Sequence, residues 1–185
     1  MAARDEQIPG IRPRPSLGRR LDIMARHSFP VTSTVLLMLL CGLPFGIADQ
    51  AVLLPALTLA AVYFWSLFRP ASLQPPIVFL LGLLLDLLGY LPIGCGVLTL
   101  LLVHGLAARW RRRLTQQGFV VVWLVFIAVG TGASLLIWAL TSLLSLRLLP
   151  VAPALFQSVL AATSYPALGI LLIRAHRTIA DPERV

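Results

Sequence analysis

The run GLLLDLLGYLPIG, residues 82–94, holds one carboxylate, Asp86, between leucines. Asp86 is the only Asp or Glu well inside an apolar segment of the chain. Keeping a charge in such surroundings is costly, so an acid there usually faces the protein interior and has a task. Phe79, Gly82, Asp86 and Gly89 recur at intervals of three, four and three, which places them on one helical stripe. The glycines on either side allow a second backbone to come close, or leave room for something to enter. Two readings follow: a carboxylate that locks neighbouring helices by accepting hydrogen bonds, or one that lines a binding groove. Thr99, Ser134, Trp138, Thr141, Gln157 and Ser158 lie at a matching depth and could supply donors.

Other residue types with reactive chemistry are sparse. An intramembrane aspartyl enzyme needs two carboxylates sharing a site, and only one is present. A serine hydrolase needs nucleophile and base within hydrogen-bond reach, whereas Ser134 and His104 fall at different depths. His104 and Asp86 also sit toward opposite ends of their helices, so a direct pair is not expected. His104 reads as a satisfied or snorkelling side chain. Cys41 and Cys95 cannot form a metal site alone and read as small packing residues. Gly94-Cys95-Gly96 lacks the preceding strand and third glycine of a nucleotide loop. Gly130 and Ser134 are in small-xxx-small register, a sign of close helix packing. No catalytic residue, metal site or cofactor is expected.

The elements that must position these residues are helices in a membrane. The 185-residue chain is 58% hydrophobic and 12% charged, with a mean hydropathy of +0.90. A soluble domain of this size could not hide so much apolar surface. Residues 1–28, rich in Pro and Arg, read as a disordered basic arm. Residues 29–173 form one membrane domain, and residues 174–185 a short tail. Six spans are expected: Phe29–Ala48, Ala51–Phe68, Pro75–Leu91, Ile93–Ala108, Gly118–Ser145 and Ala154–Ile173. Tight turns at Asp49-Gln50 and Tyr90-Leu91-Pro92 and a proline-punctuated link from Arg69-Pro70 to Pro75-Pro76 separate them. Arg109–Arg113 reads as a basic loop.

The net charge of +8 comes from arginine, with no lysine in the chain. In a soluble protein it would suggest nucleic acid. Here every arginine but Arg147 falls on one side of the expected spans, which makes that side cytoplasmic, with both termini inside. No nucleic-acid partner is expected, and membrane lipid is. Tyr63, Trp65, Tyr90, Trp110, Trp123 and Trp138 fall near segment ends, as interfacial aromatics do.

Taken in order, these residues resemble the bacterial rod-shape-determining MreD family. The likeness is carried by Tyr63-Phe64-Trp65-Ser66-Leu67-Phe68-Arg69-Pro70, then Phe79 through Asp86, then Pro92 and Gly94, and late in the chain by Phe156-Gln157 and Tyr165-Pro166. It spans roughly residues 30–175. The resemblance implies an all-α, six-helix inner-membrane protein similar in fold to the S component of energy-coupling-factor transporters. It implies a non-catalytic scaffold of the cell-elongation complex that binds MreC, alongside MreB, RodA and the elongation-specific transpeptidase. Asp86, Gly82, Gly89, Pro92 and Gly94 would then shape an outward-facing groove, with Arg69-Pro70 as a cytoplasmic corner. Trp65, Gln157, Tyr165 and Pro166 complete the candidate partner-binding set. The alternative is a small-molecule-binding, S-component-like subunit of a transporter.

Overall fold

The computed structural model describes residues 17–43 and 50–180, with side chains from Ser28 onward except at 50, 51, 173 and 175–180. The described residues form helices and no strand: α1 Leu17–Gly42, α2 Gln50–Phe68, α3 Pro75–Leu88, α4 Cys95–Leu114, α5 Phe119–Leu144 and α6 Ala152–Ala180. Pro75 and Pro76 open α3, where a missing N–H costs nothing.

Several boundaries differ from those expected. Residues 17–28 belong to α1 rather than to a disordered arm, and residues 1–16 lie outside the described part. No proline interrupts the chain between Pro15 and Pro30, and arginine and leucine are good helix formers. The expected end of this span at Ala48 also lies outside the described residues. Arg109–Arg113 is the end of α4, not a loop. Nothing breaks the helix before Gly118, and arginines in a last turn complement the carbonyl end of the helix. For similar reasons α6 runs on to Ala180 through the expected tail.

α2 is the central element. From Leu54 to Leu67 nearly every residue is buried, and the helix packs on all five others. Its sequence explains the position: it is apolar on every side, with no charge. Ala56, Ala60 and Ala61 are buried and let neighbouring helices approach closely. At one level Tyr63 of α2, Phe126 of α5 and Tyr165 of α6 meet, with Phe126 and Tyr165 stacked at 4.3 Å and Tyr63 edge-on to Tyr165 at 5.8 Å. Tyr63 and Trp65 are therefore core residues and not interfacial ones. A helix end rich in aromatics fits both roles by composition, and only the packing of α1, α5 and α6 around α2 separates them. Trp123 and Trp138 instead cap neighbouring backbone, donating to the Ala162 and Leu149 carbonyls.

The outer faces are as apolar as the core. Two helical stretches, Phe119–Leu144 and Ala152–Leu172, are long and apolar enough to cross a membrane, and only 33% of the most apolar window of each is buried. Ser28–Gly42, Val52–Phe68 and Pro75–Leu88 are shorter apolar helices. Leu80, Leu87, Leu102, Leu124, Val159 and Leu171 all point outward with more than half of their surface exposed.

Candidate functional site: a carboxylate clasp between α3 and α4

α3 and α4 are the most extensively packed helix pair among the described residues. The chain leaves α3 through Gly89, whose N–H donates to Leu85, and Tyr90, in the left-handed region at φ 51°. The Leu91 N–H returns to the Asp86 carbonyl, closing a Schellman-type end. Gly94 follows at φ 104°, a conformation glycine adopts without strain, and α4 starts at Cys95.

Asp86, 2% exposed, reaches from α3 across this turn. One carboxyl oxygen accepts the Gly94 N–H at 2.8 Å and the other the Gly96 N–H at 2.6 Å. The first N–H groups of a helix have no partner inside it, and the N-cap residue of α4, Gly94, has no side chain to supply one. Asp86 is thus an N-cap lent by the preceding helix. A carboxylate offers acceptors only, and both of its oxygens are used. Its negative charge also meets the positive end of the α4 dipole.

Glycines make this approach possible. A Cβ on Gly96 would lie 2.5 Å from an Asp86 carboxyl oxygen. A Cβ on Gly82 would fall onto the Val97 Cα, with the Val97 N at 2.9 Å. The Gly82–Asp86 face is therefore packed against α4. The buried stripe of α3 is Val78, Leu81, Gly82, Leu85 and Asp86. Phe79, expected on that stripe, points outward and is 47% exposed.

None of the candidate side-chain donors binds Asp86, and three of the six are engaged elsewhere. The Thr99 and Ser158 hydroxyls donate to Cys95 and Ala154, the carbonyls one turn back in their own helices. The Trp138 indole donates to Leu149. Ser134 Oγ, Thr141 Oγ1 and Gln157 Nε2 are buried without a hydrogen-bond partner. Backbone N–H groups carry no residue-type signature, which is why the donors escape a reading of side chains. The available signal was Gly94-x-Gly96 at the start of a helix, just after a tight turn from an acid.

The remaining candidate residues lie elsewhere. Gly89 and Pro92 belong to the turn itself, and the Pro92 carbonyl accepts the Cys95 N–H. Trp65 packs edge-on against Phe29 of α1 at 5.8 Å. Tyr165 sits in the aromatic core, with Pro166 next to it inside α6. Arg69 and Pro70 begin the α2–α3 link at the opposite end of the bundle from Asp86, beside the end of α4: Arg111 Nε donates to the Leu67 carbonyl at 3.0 Å.

His104 does not meet Asp86. It pairs with Ser66 of α2, its Nδ1 2.8 Å from the Ser66 Oγ. Ser66 Oγ is also 2.6 Å from the Val62 carbonyl, to which it donates. With the hydroxyl proton committed there, the ring nitrogen donates to serine, the reverse of the arrangement that activates a nucleophile. The pair ties α4 to α2. Ser66→Ala and His104→Leu should each destabilise the protein by about 1–2 kcal/mol, and the double variant by less than their sum. Thermal unfolding in detergent across the four proteins measures the coupling, and strict additivity would show that the bond contributes nothing. Cys41 and Cys95 are not bridged. Among the described residues no group of three or more His, Cys, Asp or Glu side chains comes together. No protein-family model matches the chain, and neither a curated protein nor a solved structure is significantly similar to it.

Proposed function

We propose that this chain is a non-catalytic membrane scaffold of the bacterial cell-elongation complex, of the MreD type. It binds MreC and connects it to MreB, RodA and the elongation-specific transpeptidase. The observation that carries this reading is the clasp. Gly82, Asp86 and Gly94, the core of the ordered motif, act together to fix two helices in one register. A surface that must present a constant shape to a partner needs such a fixed corner.

In this reading all six helices span the inner membrane and both termini are cytoplasmic. Arginine placement supports it: Arg69 and Arg109–Arg113 share one end of the bundle, and the Arg111–Leu67 bond joins the two groups there. The apolar outer faces support the lipid setting.

Purification of the tagged full-length chain from native membranes tests the role directly. MreC should co-purify, and Asp86→Leu should lower its recovery at least fivefold. Absence of MreC from the wild-type sample would overturn the scaffold reading. Full rod-shape complementation by Asp86→Leu with normal MreC recovery would overturn the assignment of the clasp. A second reading, a small-molecule-binding subunit of S-component type, draws on Ser134 Oγ and Gln157 Nε2, which are buried and unpartnered. A stoichiometric small polar ligand in native mass spectrometry would favour it.

A further inference from the structure

A second feature lies between α4 and α5. An open groove of about 500 Å³ is bounded there by Thr99, Leu106 and Trp110 on α4 and by Val125, Gly132 and Leu136 on α5. Its walls are almost wholly apolar. Thr99 marks one end, and its hydroxyl is turned back into its own helix. Trp110, 40% exposed, marks the other.

Charge is distributed unequally along this groove. At 100° per residue, Arg113 continues the α4 face that carries Leu102, Leu106 and Trp110, and Arg109 flanks it. Arg111 is turned toward α2, where it binds the Leu67 carbonyl. Arg109 and Arg113 are exposed. Asp86 is the one acidic side chain among those described, and it is bound at the opposite end of α4. Among the described residues, the Trp110 end of the groove carries these two cations and no carboxylate.

We propose that this groove holds one acyl chain of an anionic phospholipid, with the lipid phosphate on Arg109 and Arg113. Length favours a lipid over a partner helix. From Thr99 to Trp110 the groove runs about 17 Å at 1.5 Å per residue, close to the ~15 Å of one leaflet, half of the hydrocarbon core. A spanning helix would need a seat across both leaflets. The tryptophan and arginines at one end match the headgroup level, where aromatic rings and basic side chains both gather. Arginine suits the phosphate because its planar fork binds two oxygens at once. The inference rests on the membrane placement proposed above and not on the scaffold role.

The groove carries a convenient probe of its own. A Cβ on Gly132 would meet nothing within 4 Å, and Gly132 lines the groove, so Gly132→Leu should project into it. The test is native mass spectrometry of the full-length protein in mild detergent, titrated with phosphatidylglycerol or with phosphatidylcholine of the same chains. The wild type should hold one phosphatidylglycerol at least tenfold more tightly than phosphatidylcholine. Gly132→Leu should lose it, and Arg109→Gln/Arg113→Gln should lose the preference between headgroups. Equal retention of both lipids by the wild type would overturn the proposal. So would unchanged phosphatidylglycerol binding in Gly132→Leu, or a transmembrane partner whose binding, unlike that of lipid, is blocked by Gly132→Leu. Release of the chain from membranes by alkaline carbonate would instead sink the membrane placement. A chain that stays in the membrane yet binds no phosphatidylglycerol sinks this proposal alone.

Discussion

Asp86→Leu is expected to loosen the α3–α4 pair and to lower the stability of the protein by about 3 kcal/mol, because a hydrogen bond to a charged group contributes about 1.5–3 kcal/mol and two are lost together. The Gly94 and Gly96 N–H groups would be left without acceptors in a buried site. The leucine would also be pressed against the Gly96 backbone, which already touches the carboxyl group. Asp86→Asn keeps the shape but turns one acceptor into a donor, so it can satisfy only one of the two N–H groups. It should fall between wild type and leucine. Unfolding in detergent gives the ranking, and hydrogen exchange at Gly94 and Gly96 gives the mechanism. An Asp86→Asn protein as stable as wild type would mean that the second bond contributes nothing.

The second large effect is expected from a single methyl group. Gly82→Ala places a Cβ on the Val97 backbone, which cannot rotate aside as a side chain could. The two helices must separate, at a cost of about 1–3 kcal/mol, the usual range for overpacking. Gly132→Ala makes the same chemical change on an open face, where alanine is the better helix former by about 1 kcal/mol. The two substitutions should therefore move thermal stability in opposite directions. Equal effects would show that propensity, and not the approach of α3 to α4, decides the outcome at Gly82.

Much of this arrangement was legible from residue types. A helical reading of the apolar runs puts α2, α3 and α5 within a few residues of their observed bounds, because their ends are punctuated by Pro75, Gly118 and similar breakers. The ends of α4 and α6 run past the expected bounds because arginine, a marker of loops beside a membrane span, is also a sound helix former. Asp86 stood out because its type conflicts with its neighbours. Its partners did not, since they are main-chain groups whose availability depends on where a helix happens to start. Tyr63 and Trp65 were misplaced for a related reason. Composition gives the chemistry of a side chain, but only packing shows that α2 is the helix all the others surround. The Ser66–His104 bond joins residues 38 apart in the chain, and no local pattern could have paired them.

The clasp also has a consequence for how the chain is made. Asp86 leaves the ribosome ahead of the two N–H groups that will bind it. α3 has 14 residues, about 21 Å at 1.5 Å per residue, which falls short of the ~30 Å hydrocarbon core. With an unmatched acid it is a poor candidate to enter lipid alone. Once Gly96 has emerged, the acid can close on the start of α4, and the two helices can enter as one hairpin. Nascent chains arrested before Gly94 should leave α3 extractable from membranes, and chains extended through α4 should not. Equal insertion of both would show that the hairpin is assembled only after each helix is already in place.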